Sequence, residues 1–455
     1  MKKALILCIM VFSTSVWAQE HPGFKPLRYN DDFSYLHTDT VKNWYESIKY
    51  IPLDKSGKYY ISLGGEARGQ YINTTNNKWG DEPDAKDGYF LSRYLFHTDI
   101  HLGSFRLFGQ FQSSLSYSMP DPSPVDDNSA EIHQLFLDYN ILKNEHTRLT
   151  ARLGRQEMQY GSQRLIGVRE KPNNRLAMDG FKLIANRKNF QTDAFYMQPI
   201  ANVPGAFNDD INDNAKLWGS YTVLNNVKFF ENIDLYYFGL WKRQTKLDDA
   251  IGKEVRHTFG TRIWKNNGNF TYDFEAIYQF GKLAGKDIAA WTVSSNVTYT
   301  LENIKFKPTL GLKTEMISGD NNKNDNTIQT FNAMYPRGAY FGLVALIGPA
   351  NLCDIHPSVD FELTDELSFG VDYDIFWRLS NSDGIYAPNM QLLYSGGNTN
   401  RSFIGTQLAA DFEYKLNTFV SFALEGAWFD SGAYLKEVGT GKDYLYAAFT
   451  TTIRF

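Results

Sequence analysis

Ten basic residues fall between Arg148 and Lys188: Arg148, Arg152, Arg155, Arg164, Arg169, Lys171, Arg175, Lys182, Arg187 and Lys188. Only Glu157, Glu170 and Asp179 oppose them, an excess of seven positive charges in a chain whose net charge is −5. A guanidinium is planar, stays charged and grips a carboxylate through two parallel hydrogen bonds. Such a cluster suits holding and orienting anionic groups better than making or breaking bonds. Between Cys353 and Asp430 the balance reverses, with twelve acids against Arg378, Arg401 and Lys415. If the two stretches lie apart on one enclosing wall, a strong field crosses the space between them. The plainer reading is that these charges are solvated and neutralise one another, which is the expectation for Arg187 and Lys188, in a predicted turn.

Other chemistries find less support. No serine, histidine and acid carry nucleophile spacing such as G-x-S-x-G, so no catalytic residue is assigned, although an enzyme site assembled from distant strands remains an alternative. His97 and His101 share a strand four residues apart, about 13 Å, too far for one metal. The run Gly319 to Asn326 is rich in Asp and Asn, but Asp325 stands where a calcium loop has its glycine and Phe331 where it has its last glutamate. It is expected to be a solvated loop, and no metal or cofactor is assigned. No basic groove interleaved with aromatics points to nucleic acid.

Strands must carry these residues. In residues 443–455, Leu445, Ala447, Phe449, Thr451, Ile453 and Phe455 make one mostly apolar face, and Tyr444, Tyr446, Thr450, Thr452 and Arg454 the other. That is period two, the mark of a strand with unlike faces. The pattern recurs. Ile61, Leu63, Ala67 and Tyr71 alternate with Glu66, Arg68 and Gln70; Phe274, Ala276, Tyr278 and Phe280 alternate with Asp273, Glu275 and Gln279. About eighteen such segments follow one another, each near the ~9–11 residues that cross a bilayer. Short joints, as near Gly103 and at 187–189, 266–269 and 364–366, alternate with longer connections at 73–88, 119–129, 158–174, 203–214, 244–253, 319–352 and 381–401. Apolar residues 341–347 of one long connection are expected to fold inward or to pack on a neighbouring loop. Trp79, Tyr89 and Trp428, near strand ends, are expected as membrane-interface aromatics.

Lys2 and Lys3, a short apolar run and Ala18 describe an export signal cleaved after Ala18. The mature chain then keeps one cysteine, Cys353, so no internal disulfide forms. No later segment is apolar enough for a membrane helix, mean hydropathy is −0.40, and 15% of residues are aromatic. The fold class expected is all-β: a transmembrane antiparallel up-and-down β-barrel of about 18 strands at 59–455, after a signal peptide at 1–18 and an extended periplasmic lead-in at 19–58. Its place is the outer membrane.

The run Gly154-Arg155-Gln156-Glu157-Met158, then Tyr160-Gly161, Arg164-Leu165, Arg169, Pro172-Asn173, Arg175 and Asp179-Gly180 resembles the hallmark segment of the alginate-export outer-membrane family, with Met178 where the family often has Phe. Ala339 to Gly342 and Asp372-Tyr373 with Phe376-Trp377 resemble further family segments. The resemblance implies an eighteen-stranded barrel passing polysaccharide or related solutes through an arginine-lined constriction. Arg148, Arg152, Arg155, Glu157, Arg164, Arg169, Arg175 and Asp179 are accordingly expected to line the lumen and meet solute. Expected partners are outer-membrane lipid, polar or anionic saccharides, and the barrel-insertion machinery through Phe455. The acidic stretch argues against a dedicated polyanion exporter, so a general porin or an oligosaccharide uptake channel fits equally well, and a plugged structural or adhesive barrel is a further alternative.

Overall fold

A computed structural model describes residues 23–455; the export-signal reading of 1–18 lies outside them. Eighteen long strands form one ring. In chain order β1 to β9 are Tyr59–Thr75, Tyr89–Leu102, Phe105–Tyr117, Asn128–Lys143, Thr147–Gln156, Met178–Arg187, Phe190–Ala201, Ala215–Val227 and Glu231–Lys246; β10 to β18 are Ile251–Lys265, Phe270–Leu283, Lys286–Thr300, Thr309–Ile317, Leu352–Glu362, Leu367–Trp377, Phe403–Lys415, Val420–Ser431 and Tyr444–Arg454. Each pairs antiparallel with its chain neighbours, and β18 returns to β1, Glu66 opposite Arg454 and Thr75 opposite Leu445. This is the up-and-down barrel that the period-two pattern predicts.

The faces sort as the alternation requires. Tyr71, Tyr94, Phe96, Leu135, Leu153, Phe181, Tyr278, Leu310 and Phe449 stand exposed on the outer wall, while Glu66, Arg68, Arg93, Gln110, Arg152, Glu275, Glu315 and Asp374 are buried inside. Exposed apolar area costs about 25 cal/mol per Å² in water, so an outer wall of this kind belongs in hydrocarbon. Short turns gather at one end of the barrel and long loops at the other. Two connections at the long-loop end differ from expectation. Residues 244–253 are mostly strand, with a four-residue tip between Lys246 and Ile251. Ala284 and Gly285 alone join β11 to β12 in left-handed conformations, φ 52° and 91°, a tight hairpin that keeps strand pairing to its end. Trp79 is also not an interface residue: it is fully buried against Phe429.

The lumen is not simply wet. Residues 157–177 and 318–351 both fold inward, and Met158, Leu165, Ile166, Phe331, Met334, Phe341 and Ile347 join an apolar core inside the ring. The two loops zip together in parallel. Tyr335 N–H donates to Leu165 O, Gly167 N–H to Tyr335 O and Arg337 N–H to Gln163 O, each at 2.9 Å. Inside the wall, the Tyr236 ring lies over Gly260, where any Cβ would come within 2.1 Å of it.

The segment before the barrel is not extended. It forms 3-10 turns at Arg28–Asn30 and Ser34–Thr38 and a helix, α1, at Trp44–Lys49. Asn43 and Glu46 cap α1 reciprocally at 2.9 and 2.8 Å. Phe33, Leu36, Tyr45, Tyr50 and Tyr60 pack as a small core, and Tyr45 meets Phe419 at 4.8 Å, so the segment lies across the short-turn end.

Candidate functional site

The basic motif begins on β5 and runs into the inward loop. Arg148 is exposed at the short-turn rim and donates to Asn140 Oδ1 at 3.3 Å. Arg152, four residues on, points inward and grips Asp138 with two hydrogen bonds of 2.7 and 2.8 Å. Its guanidinium also lies 3.8 Å from the Phe136 ring centroid and 4.4 Å from that of Tyr29.

Arg155 and Asp179 do not line the lumen. Arg155 shares a strand face with the exposed Leu153, and it pairs in register with Leu135 and Asp179, whose face also carries the exposed Phe181. The two charges bind each other on the outer side, at 3.1 and 3.2 Å. Period two is the physical reason: residues three apart on a strand face opposite ways, so Arg152 and Arg155 cannot both point inward.

Beyond β5, Glu157 is buried; it accepts from Arg175 Nη2 at 3.1 Å, lies 2.8 Å from Arg175 Nε as an ion pair, and shares a hydrogen bond with His133 Nε2 at 2.8 Å. Arg175 also reaches Glu170 at 3.4 Å, and Arg93 bridges Glu66 and the same Glu170. Arg164 crosses to the far wall, 3.2 Å from Glu315 and 3.8 Å from Glu275, and donates to Ser294 and Thr292 hydroxyls at 2.8 Å. Lys171 likewise meets Glu425 at 3.0 Å. The basic and acidic stretches are therefore joined through the loop instead of standing apart across an open field.

Arg169 differs. It sits at φ +57° just past the zipper, half-exposed, 5.8 Å from the Tyr335 ring centroid, with no ion pair or hydrogen bond from its side chain among the described residues. Lys242 of β9 approaches the same ring at 5.9 Å and is also unpaired. Arg337, exposed into the lumen from the second inward loop, is a third such cation. Sequence reading missed the last two. Lys242 was legible in principle, because it shares inward parity with Leu240, but Arg337 lies in a loop without periodicity. Arg337 and Arg175 border a cavity of about 280 Å³ that Arg28, Arg454, Glu66 and Glu170 also line.

At the long-loop end, Asp249 on the β9–β10 tip and Asp320 face one another, each with one buried carboxylate oxygen lacking a donor. Burial first, then the Asp249 charge, raise Asp320 to about 6. Asp320 Oδ1 accepts from Asn322 N at 2.8 Å and Asp325 Oδ1 from Thr327 N at 2.8 Å, so both close turns of their own loop.

A family model described as alginate export matches residues 59–446. No curated protein matches in sequence. Among solved structures the chain is similar to Pseudomonas aeruginosa OccK3 (OpdO), at 10% identity and TM-score 0.58, covering 87% of this chain and 95% of that one. It is also similar to P. aeruginosa OccK2 (OpdF) in complex with glucuronate, at 12% identity and TM-score 0.54, and to P. aeruginosa OpdK with vanillate, at 12% and 0.56; each covers 87% of this chain and 98% of its own.

Proposed function

The chain belongs to the alginate-export family and is an outer-membrane channel; from that premise we propose that it passes acidic or mixed oligosaccharides passively, their carboxylates handed along Arg169, Lys242 and Arg337. The observation that carries this is the contrast in pairing. Arg93, Arg152, Arg164 and Arg175 are already neutralised by acids, whereas those three face the lumen unpaired, Arg169 and Lys242 beside Tyr335 and Arg337 beside the cavity. A unit charge without a partner is the one able to offer a bidentate or point-charge contact to a passing anion. The acids nearby keep net attraction modest, so solute can leave as well as enter. OccK2 with glucuronate and OpdK with vanillate add support, because both ligands are carboxylates.

In this reading the short-turn end is periplasmic, the long-loop end extracellular, lipid covers the apolar outer wall, and β18 with Phe455 is what the insertion machinery meets. No reaction is assigned. The test is single-channel recording in planar bilayers, with galacturonate oligomers and neutral malto-oligosaccharides added in turn. Block by the uronates alone is expected. Indifference to both would make it a general diffusion porin.

A further inference from the structure

Residues 24–31 enter the lumen from the short-turn end and occupy the arginine site. Tyr29 is 3% exposed and wedged edge-on between Phe108 and Phe136, with ring centroids at 6.0 and 5.3 Å. Its hydroxyl donates to Glu157 O at 2.9 Å, and its own carbonyl accepts from Arg106. Arg152 stacks on its ring. Pro26 O accepts from Arg175 Nη2 at 3.1 Å. The cavity of about 280 Å³ ends against Phe24, Lys25, Pro26 and Arg28. We propose that residues 24–31 are a displaceable plug across the short-turn end of the lumen, which yields when an anionic solute engages the unpaired Arg337 on the cavity that the segment closes. The proposal rests on the channel reading above.

Three features make the segment removable instead of a fixed part of the wall. It forms no strand pairing: among the described residues the first to pair are Ile51 and Pro52, with Ile61 and Tyr60. Beyond the bonds above, its hold on the wall is limited to Tyr29 and Leu27 in the Phe108–Phe136 pocket, Arg28 on the Gly65 and Phe455 carbonyls, and Phe24 against Phe419. The chain between Asp31 and Ile51 is held separately, by α1 against Phe419, so residues 24–31 can leave while the tether stays. A carboxylate at Arg337 meets a guanidinium that has no acid of its own among the described residues, a charge-assisted bond roughly twice as strong as one to a neutral acceptor, and in that cavity it competes for space with Phe24 to Arg28. The tether keeps the segment at high local concentration, so the plug returns when solute is absent.

The experiment compares three folded proteins in planar bilayers: the intact chain, a deletion of residues 24–31, and Tyr29→Ser, which keeps Arg28 and the chain length should the deletion fold poorly. Circular dichroism checks that each retains its strands. Conductance at least twofold higher in both altered proteins, together with more frequent openings of the intact chain, each still interrupted by uronate block, when trigalacturonate is added on the periplasmic side, is expected. Equal conductance in all three, with uronate block preserved, would overturn the plug and leave the channel reading standing. Absence of current in all three would overturn both, since the closure would then lie elsewhere.

Discussion

Arg164 and Glu315 meet at 3.2 Å across the inside of the barrel, one from the inward loop and the other from β13, with their side chains 2% and 0% exposed. The contact ties the inward loop to the opposite wall of the barrel. Charges buried this deeply need opposite charges beside them to offset the cost of losing water, and Glu275, 3.8 Å from Arg164, shares that role.

Glu315→Gln is therefore expected to destabilise the folded barrel, by less than the ~3–5 kcal/mol of a buried charge left wholly alone, because Glu275 still faces Arg164. The double change Arg164→Met with Glu315→Leu should recover most of that loss. Urea unfolding in detergent, followed by tryptophan fluorescence, measures both. An additive double mutant would mean that the two side chains do not act together.

Neutralising Arg169, Lys242 and Arg337 together to glutamine should lower anion partitioning into the lumen by about eightfold at low salt and the anion-to-cation permeability ratio by more. A unit charge about 10 Å from the ion path in water is worth about 0.4 kcal/mol, close to twofold for an anion and the inverse for a cation. Arg155→Gln should leave the ratio unchanged, because that charge lies on the outer side with Asp179. Reversal potentials under a salt gradient decide, and a drop from Arg155→Gln would reopen its placement.

Lys49 lies under the barrel, its ammonium donating to Leu63 O at 2.7 Å. Burial, followed by the Arg28 charge, lowers its pKa to about 7, against a partial offset from Asp31. A lysine held below its unfolded value binds fewer protons when packed, so packing strengthens as pH rises from 7 toward 10.5 and is weakest below 7. Hydrogen exchange of residues 33–50 should be slower at pH 9 than at pH 6 after correction for intrinsic rate, and Lys49→Met should abolish the difference.

Asp320 runs the other way. Its carboxyl is raised to about 6 from an unfolded value near 3.9, so the packed loop binds the extra proton. The latch with Asp249 is strongest below about pH 4 and weakens as pH climbs through 6. Protease cleavage in residues 318–328 should be slower at pH 5 than at pH 8 relative to an unstructured control peptide, and Asp320→Asn should remove that dependence.

Much of this was readable from the chain. The wall follows from alternation alone, because each strand pairs with its sequence neighbour and needs no distant information. Arg155 was legible too: the parity of β5 puts Arg152 and Arg155 on opposite faces, so the motif divides between lumen and outer side. The interior was not legible. Leu165 and Tyr335 pair across a long separation in stretches with no period, and nothing local marks Arg337 as facing the lumen. The lead-in misled for a similar reason: Pro22, Pro26 and Pro52 favour extended chain, while Tyr29 finds its pocket only once Phe108 and Phe136 stand side by side on β3 and β4, their rings 5.2 Å apart.

Arg28 donates to both Gly65 O and Phe455 O, each at 3.1 Å. These carbonyls belong to β1 and to the residue after β18, the two sides of the seam. One guanidinium reaches both only after the last strand has zipped to the first, as Gly65 and Phe455 do through their own backbone at 2.8 and 3.1 Å. The bolt cannot be thrown before the door is shut: a half-assembled ring offers Arg28 one carbonyl instead of two. Both Arg28 bonds therefore exist together only in the closed cylinder.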